Sequence, residues 1–388
     1  MWNVNVECGV DKTLRPSDKG RAWIEIDLEA LAFNAAQLRA QLPLGCRLMA
    51  VVKTDAYGHG AERVAERLQA EGIDSFAVAT VCEGVRLREK GLKGDILVLG
   101  YTHPVDAAFL SDFRLTQLIV DGVHAEALDH TGFKMHVHIA IDTGMHSEGI
   151  QATDVEGIES VFSRKNLIIE GVSTHFASAD SLGDDDAGFT KIQAERFFSI
   201  VNDLKNKGYD VGKLHAQASY GLYNYPEIRC DYVRAGIGLY GVMSHDGDTK
   251  TKPVLKPVLS LRALVSQVRW IGAGESVSYG RTFTAAKPLK LATVCIGYAD
   301  GMPRNMSGNN GVCIVNGRLA PIVGRICMDL LMADVTNVDT VSPGDIVTLI
   351  GKDGGNQVRC EDVARASGTI TNEILSRLGS RLPRVYSG

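Results

Sequence analysis

From about residue 48 to residue 238 the chain repeats one pattern: a short apolar run, a turn, then a stretch with apolar positions every three or four residues. The apolar runs fall at 48–53, 76–80, 95–100, 115–120, 136–141, 167–174, 213–219 and 232–238, with helical patterns such as 62–71, 82–90 and 189–207 between them. Short apolar strands alternating with helices predict an α/β fold, a (β/α)8 TIM-like barrel with its strands covered on both sides. A doubly wound sheet is the alternative, but no G-x-G-x-x-G segment follows the first run. A strand over 23–28 and a helix over 29–41 precede the set.

The pattern changes after Ser244. A Gly-, Asp-, Lys- and Pro-rich stretch runs to Pro257, and strand-like runs then follow at 258–270, 291–296, 311–315, 330–335 and 345–350, joined by Gly- and Asn-rich turns. Helical patterns return only at 361–366 and 371–378. This predicts a second, mostly antiparallel β domain. The expected organisation is a polar leader or linker over 1–20, a barrel domain over 21–245 and a C-terminal β domain over 246–388.

With 388 residues, 45% of them hydrophobic, the chain has ample material for two cores. The net charge of −5 comes from well-mixed acids and bases, with no basic block suited to nucleic acid or an anionic membrane. No apolar run approaches a membrane span and no secretory signal is evident. The eight cysteines are scattered with no C-x-x-C pair, which favours reduced thiols and a cytoplasmic setting. His136 and His138 alternate on one strand as two metal ligands would, but no third ligand is suitably spaced, so no metal is expected.

The sharpest chemical signal is Lys53, closing the first apolar run ahead of Thr54-Asp55-Ala56-Tyr57-Gly58-His59-Gly60. Barrel active sites form where strands end, and a lysine partly desolvated there is suited to imine chemistry. A lone lysine at a strand end is commonly a surface residue, and the segment after it decides the matter.

That segment resembles the cofactor-lysine motif of alanine racemases, fold type III enzymes of pyridoxal 5′-phosphate. The resemblance continues, in the family's order, through Ile141-Asp142-Thr143-Gly144-Met145-His146, Thr174-His175-Phe176, Val233-Arg234-Ala235-Gly236-Ile237-Gly238, Val277-Ser278-Tyr279-Gly280, Ile296-Gly297-Tyr298-Ala299-Asp300-Gly301 and Gly324-Arg325-Ile326-Cys327-Met328-Asp329. It implies an amino-acid racemase that works with two bases and supplies D-amino acids for peptidoglycan precursors. It also implies a homodimer whose active sites are shared between subunits. Lys53 would hold the cofactor and act as one base; Tyr279, from the other subunit, would be the second, with Arg281 a candidate neighbour. His175 would lie against the pyridine ring and Arg234 would donate to its nitrogen. Tyr57, Ser219, Gly236 and Ile237 would hold the phosphate, the Met328 amide would meet the substrate carboxylate and Tyr298 would line the entrance.

The chain also departs from the family pattern. Where members carry a carboxylate-binding arginine, two residues after Met145, it has Ser147, leaving Ser147 and His146 as local substitutes. The lysine that orients that arginine is replaced by Ala140, so the charge and its partner are missing together. Ser380 stands where a tyrosine is usual. These departures look most like the catalytic part of the VanT serine/alanine racemases of vancomycin resistance, which carry a membrane domain as well. The expected substrate is therefore alanine and/or serine, and the chain is expected to be cytoplasmic or the cytoplasmic part of a membrane protein. The competing functions are a fold type III decarboxylase, a racemase of another amino acid and a non-catalytic cofactor-carrier barrel.

Overall fold

The computed structural model describes residues 19–388, so the expected polar leader lies outside the described residues except for its last two positions. Two compact units emerge, and neither is one continuous stretch. The first comprises Asp27–Leu259, Arg359–Leu378 and Gly388; the second comprises residues 19–26, Ser260–Val358 and Gly379–Ser387.

The first unit is the eight-stranded parallel barrel. Its strands are Arg47–Val51, Ser75–Val78, Asp95–Val98, Thr116–Ile119, Met135–Asp142, Leu167–Ser173, Lys213–Ala218 and Tyr232–Ala235. Each pairs in parallel with the next, and the eighth pairs with the first through Tyr232 opposite Arg47, closing the ring. Every one falls on an expected apolar run. The interior is filled by side chains from successive strands, among them Met49, Val51, Ala77, Leu97, Leu118, Ala140 and Tyr232. The helices wrapped outside begin with ordinary caps: Thr80 and Glu83 form a capping box at Val81–Glu89, and Asp154 caps Val155–Phe162. The helices Cys360–Ser367 and Thr371–Ser376, late in the chain, group with the barrel by contact.

The second unit is a nine-stranded sheet whose strands pair antiparallel wherever register is defined. Its longest strand, Leu259–Ile271, pairs through Leu261–Leu264 with Ile346–Asp353 and through Val265–Ile271 with Leu289–Val294. The N-terminal strand Ala22–Asp27 and the last strand, Arg384–Ser387, complete the sheet at one edge. A short hairpin, Ser276–Val277 against Phe283–Thr284, carries Tyr279 at its turn.

Candidate active site

Directly after the first barrel strand, four consecutive residues, Thr54, Asp55, Ala56 and Tyr57, adopt left-handed backbone angles with φ between 53° and 57°. Each such non-glycine residue costs about 1–2 kcal/mol, so a run of them marks a place where surrounding contacts dictate the backbone. Those contacts are visible. Glu83 accepts from the Thr54 amide at 2.6 Å and also from the amides of Ala79 (2.7 Å) and Thr80 (3.2 Å). Asp55 accepts from the Ala61 amide at 2.8 Å. At Gly58, φ is +79° and a Cβ would lie 2.4 Å from the Leu375 carbonyl oxygen, so glycine is required twice over. His59 is fully buried and stacks on Tyr240 at 4.4 Å. The Tyr-Gly-His-Gly segment is thus a folding device that sets Lys53 and Tyr57 at the barrel's mouth.

There they line a cavity of about 620 Å³ formed at the ends of the strands, together with Ser147, His175, Ser219, Arg234, Gly236 and Ile237. All the site residues expected from the barrel half of the sequence therefore share one cavity. One end is made of small and hydroxyl residues. Ser219 Oγ accepts from the Gly236 and Gly238 amides at 3.2 and 3.3 Å. A Cβ on Gly236 would lie 2.7 Å from Tyr57 Oη. Burial pushes the Tyr57 phenol up to about 12, so it stays a neutral donor.

The other end is built around Arg234, which is 7% exposed. Its Nη1 donates to His215 Nδ1 at 2.7 Å and to the His215 carbonyl at 3.0 Å; its Nη2 donates to His175 Nδ1 (2.9 Å) and to the carbonyls of Thr174 (2.9 Å) and Ala216 (3.2 Å). Among the described residues none accepts from Nε. Burial lowers the arginine to about 10 and, with the arginine's charge beside it, lowers His175 to about 3. The guanidinium therefore stays charged and His175 neutral at ordinary pH.

Glu148, next to Ser147, also lines the cavity, and desolvation raises its carboxyl against the pull of Lys53. Asp180, another acid on the wall, is paired with His245 at 3.2 Å. Sequence patterning gave no sign of Glu83 or Glu148, because neither belongs to an apolar run or a glycine motif. His146 is not among the residues lining the cavity; its Nδ1 contacts Asp142 at 2.7 Å, and Asp142 also accepts from the Gly144 and His146 amides. His136 and His138 meet different partners. His136 is exposed against Glu170, while His138 is buried against His215. Among the described residues no three His, Cys, Asp or Glu side chains gather as a metal site.

The second unit holds Tyr279, Tyr298, Met328 and Ser380. Tyr279 is 69% exposed, and the expected neighbour Arg281 is turned instead to Ser276 Oγ at 2.9 Å. Tyr298 and Met328 are on interlocked loops: the Tyr298 amide donates to the Cys327 carbonyl and the Ala299 amide to the Met328 carbonyl, both at 3.0 Å. A Cβ on Gly297 would lie 2.3–2.4 Å from those two carbonyl oxygens. Asp300, 1% exposed, accepts from Arg21 at 2.9 Å and from the Gly297 amide at 3.0 Å. Arg381, beside the exposed Ser380, donates to Asp329 at 2.6 Å, and Asp329 also contacts Arg21.

Residues 26–244 match the N-terminal domain of alanine racemase and residues 258–386 its C-terminal domain. An amino-acid racemase of Enterococcus faecalis is 41% identical over 96% of this chain, and a serine/alanine racemase of Enterococcus gallinarum is 39% identical over 93% of it. The chain spans about half the length of these relatives, 52% and 51% respectively. The crystal structure of alanine racemase from Bacillus anthracis with bound L-Ala-P superposes with a TM-score of 0.88 at 31% identity, covering 95% of each chain.

Proposed function

Because the chain belongs to the alanine racemase family of isomerases, we propose that it interconverts the L and D forms of alanine and/or serine with pyridoxal 5′-phosphate as cofactor. The observation that carries this is the placement, in one cavity, of the Lys53 amine and of a buried Arg234 whose Nε–H no described residue accepts. The cavity suits that cofactor. The orphaned Nε donor matches a pyridine nitrogen, and the space kept open at Gly236 beside Tyr57 and Ser219 matches a phosphate.

When bound, the cofactor supplies an electron-withdrawing ring that acidifies the substrate Cα–H. The Lys53 amine removes or returns that proton on one face. Tyr279, contributed by the partner subunit, does so on the other, since one group cannot serve both faces. Arg234, always a donor, would leave the ring nitrogen unprotonated and so restrain side reactions of a substrate with a β-leaving group, such as serine. His175 would lie against the ring, and Tyr57, Ser219, Gly236 and Ile237 would hold the phosphate. The Met328 amide and Ser147 take the substrate carboxylate, a weaker grip than an arginine gives. Tyr298 lines the entrance. Ser380 leaves room for a substrate hydroxyl, and the serine/alanine racemase relative favours the same choice. The D-amino acid would enter peptidoglycan precursors, and the VanT-like departures connect that supply with vancomycin resistance. We place the chain in the cytoplasm, by itself or as the cytoplasmic part of a membrane protein; no helix of the described residues is long and apolar enough to cross a membrane.

The test is chiral chromatography of the products formed from L-alanine and L-serine with added cofactor. D product is expected from both; its absence overturns the proposal. Lys53→Ala should lower kcat by about 10²–10⁴-fold and remove the visible absorption of the bound cofactor. Ser380→Tyr should depress kcat/KM for serine about tenfold more than for alanine. Equal losses for the two substrates would make Ser380 a cofactor-affinity residue.

A further inference from the structure

Behind Arg234 the hydrogen bonds continue away from the cavity. His215 Nε2 lies 2.7 Å from His138 Nδ1, and both rings are buried, at 0% and 6% exposure. His138 is on the fifth barrel strand, His215 on the seventh and Arg234 on the eighth. The His138 ring therefore crosses the sixth strand to reach its partner, and the residue it crosses is Gly171. A Cβ there would lie 2.8 Å from His138 Cε1, 2.9 Å from its Nδ1 and 2.5 Å from the Lys213 carbonyl oxygen. A register shift between Val137 and His138, which skips Glu170, is what brings Gly171 opposite His138.

The direction of this chain is set at one end. A guanidinium only donates, so His215 Nδ1 must accept from Arg234. A neutral His215 then carries its proton on Nε2 and donates it to His138 Nδ1, which leaves the His138 proton on Nε2. We propose that His138 is a positioning residue for the racemase site. As the acceptor that holds His215 in its Nε2–H form, it keeps His215 Nδ1 turned to Arg234 and so fixes the guanidinium for the cofactor ring. Without that acceptor, a buried His215 N–H has no partner, and a ring that turns to find one withdraws Nδ1 from Arg234. The effect on the cofactor rests on the function proposed above, whereas the two tautomers do not.

Two measurements test it. In protein labelled with ¹⁵N-histidine, with signals assigned using the variants below, His138 and His215 should both be neutral Nε2–H forms from pH 5.5 to 8. A proton on Nδ1 of either overturns the proposal whether or not the protein racemises anything. The second compares His138→Gln with His138→Met, side chains of similar length of which only glutamine offers a strong acceptor. Melting temperatures and pyridoxal-phosphate affinity are read beside kcat and KM. Glutamine should keep affinity and kcat within about twofold, while methionine should lower both about tenfold with substrate KM little changed. Equal damage from both variants, or none from methionine, overturns the positioning role. If neither variant folds, the wild-type ¹⁵N spectrum, assigned by relaxation from neighbouring labelled residues, still decides.

Discussion

Three histidines meet Arg234 or its partner, and their burial makes stability depend on pH. Burial, reinforced by the Arg234 charge, lowers His138 to about 4 and His175 to about 3, and holds His215 well below the ordinary range. In the unfolded chain the same residues titrate near 6.5. As pH falls below that value the unfolded chain takes up protons that the folded one refuses, so stability is lost between about pH 6.5 and 4, and each histidine contributes a slope of about 1.4 kcal/mol per pH unit. Denaturant midpoints measured across this range should fall steeply, and His138→Gln should reduce the slope by about one proton. An unchanged slope in that variant would mean that His138 is charged when folded. Lys53, Arg234 and His175 were legible in the sequence because each sits in a motif at a strand end. The partnership of His138 with His215 was not, because it depends on the room left at Gly171 on the strand between them, and a glycine in an apolar run gives no sign of which ring passes over it.

At the level of elements the legibility divides along physical lines. All eight barrel strands were readable because strands covered on both faces are continuously apolar. The left-handed run at residues 54–57 was not, since Thr, Asp, Ala and Tyr carry no intrinsic preference for it and tertiary contacts impose it. Glu83 is the chief contact: its two oxygens accept from three amides, those of Thr54, Ala79 and Thr80. Glu83→Ala leaves these donors without their carboxylate and releases the strained run. A loss of about 2–3 kcal/mol is expected in denaturant unfolding, with weaker cofactor binding because Lys53 directly precedes the run. Thr80→Ala removes only the cap of the helix Val81–Glu89 and should cost about 1 kcal/mol, with cofactor binding unchanged. Similar effects from both substitutions would show that Glu83 acts on the helix and not on the lysine turn.

Across the whole molecule, residues far apart in sequence assemble the second half of the proposed site. Arg21, Asp300, Asp329 and Arg381 form one charge network, and it ties together the segments that carry Tyr298, Met328 and Ser380. No window of sequence shows such a network, although each motif within it was readable. Tyr279 stands apart, exposed on its hairpin with its neighbour Arg281 turned away. A tyrosine so exposed is open to a second copy of the chain, as the proposal of shared sites requires. The proposal that sites are shared makes a quantitative demand. Lys53→Ala and Tyr279→Phe should each be inactive alone as homodimers. Mixed under conditions that exchange subunits, half the dimers become hybrid, and each hybrid has one site with both wild-type residues and one with neither. Activity should therefore recover to roughly a quarter of the wild-type value per subunit. If Lys53 and Tyr279 served the same site from one chain, every site in every dimer would keep one defect and mixing would restore nothing.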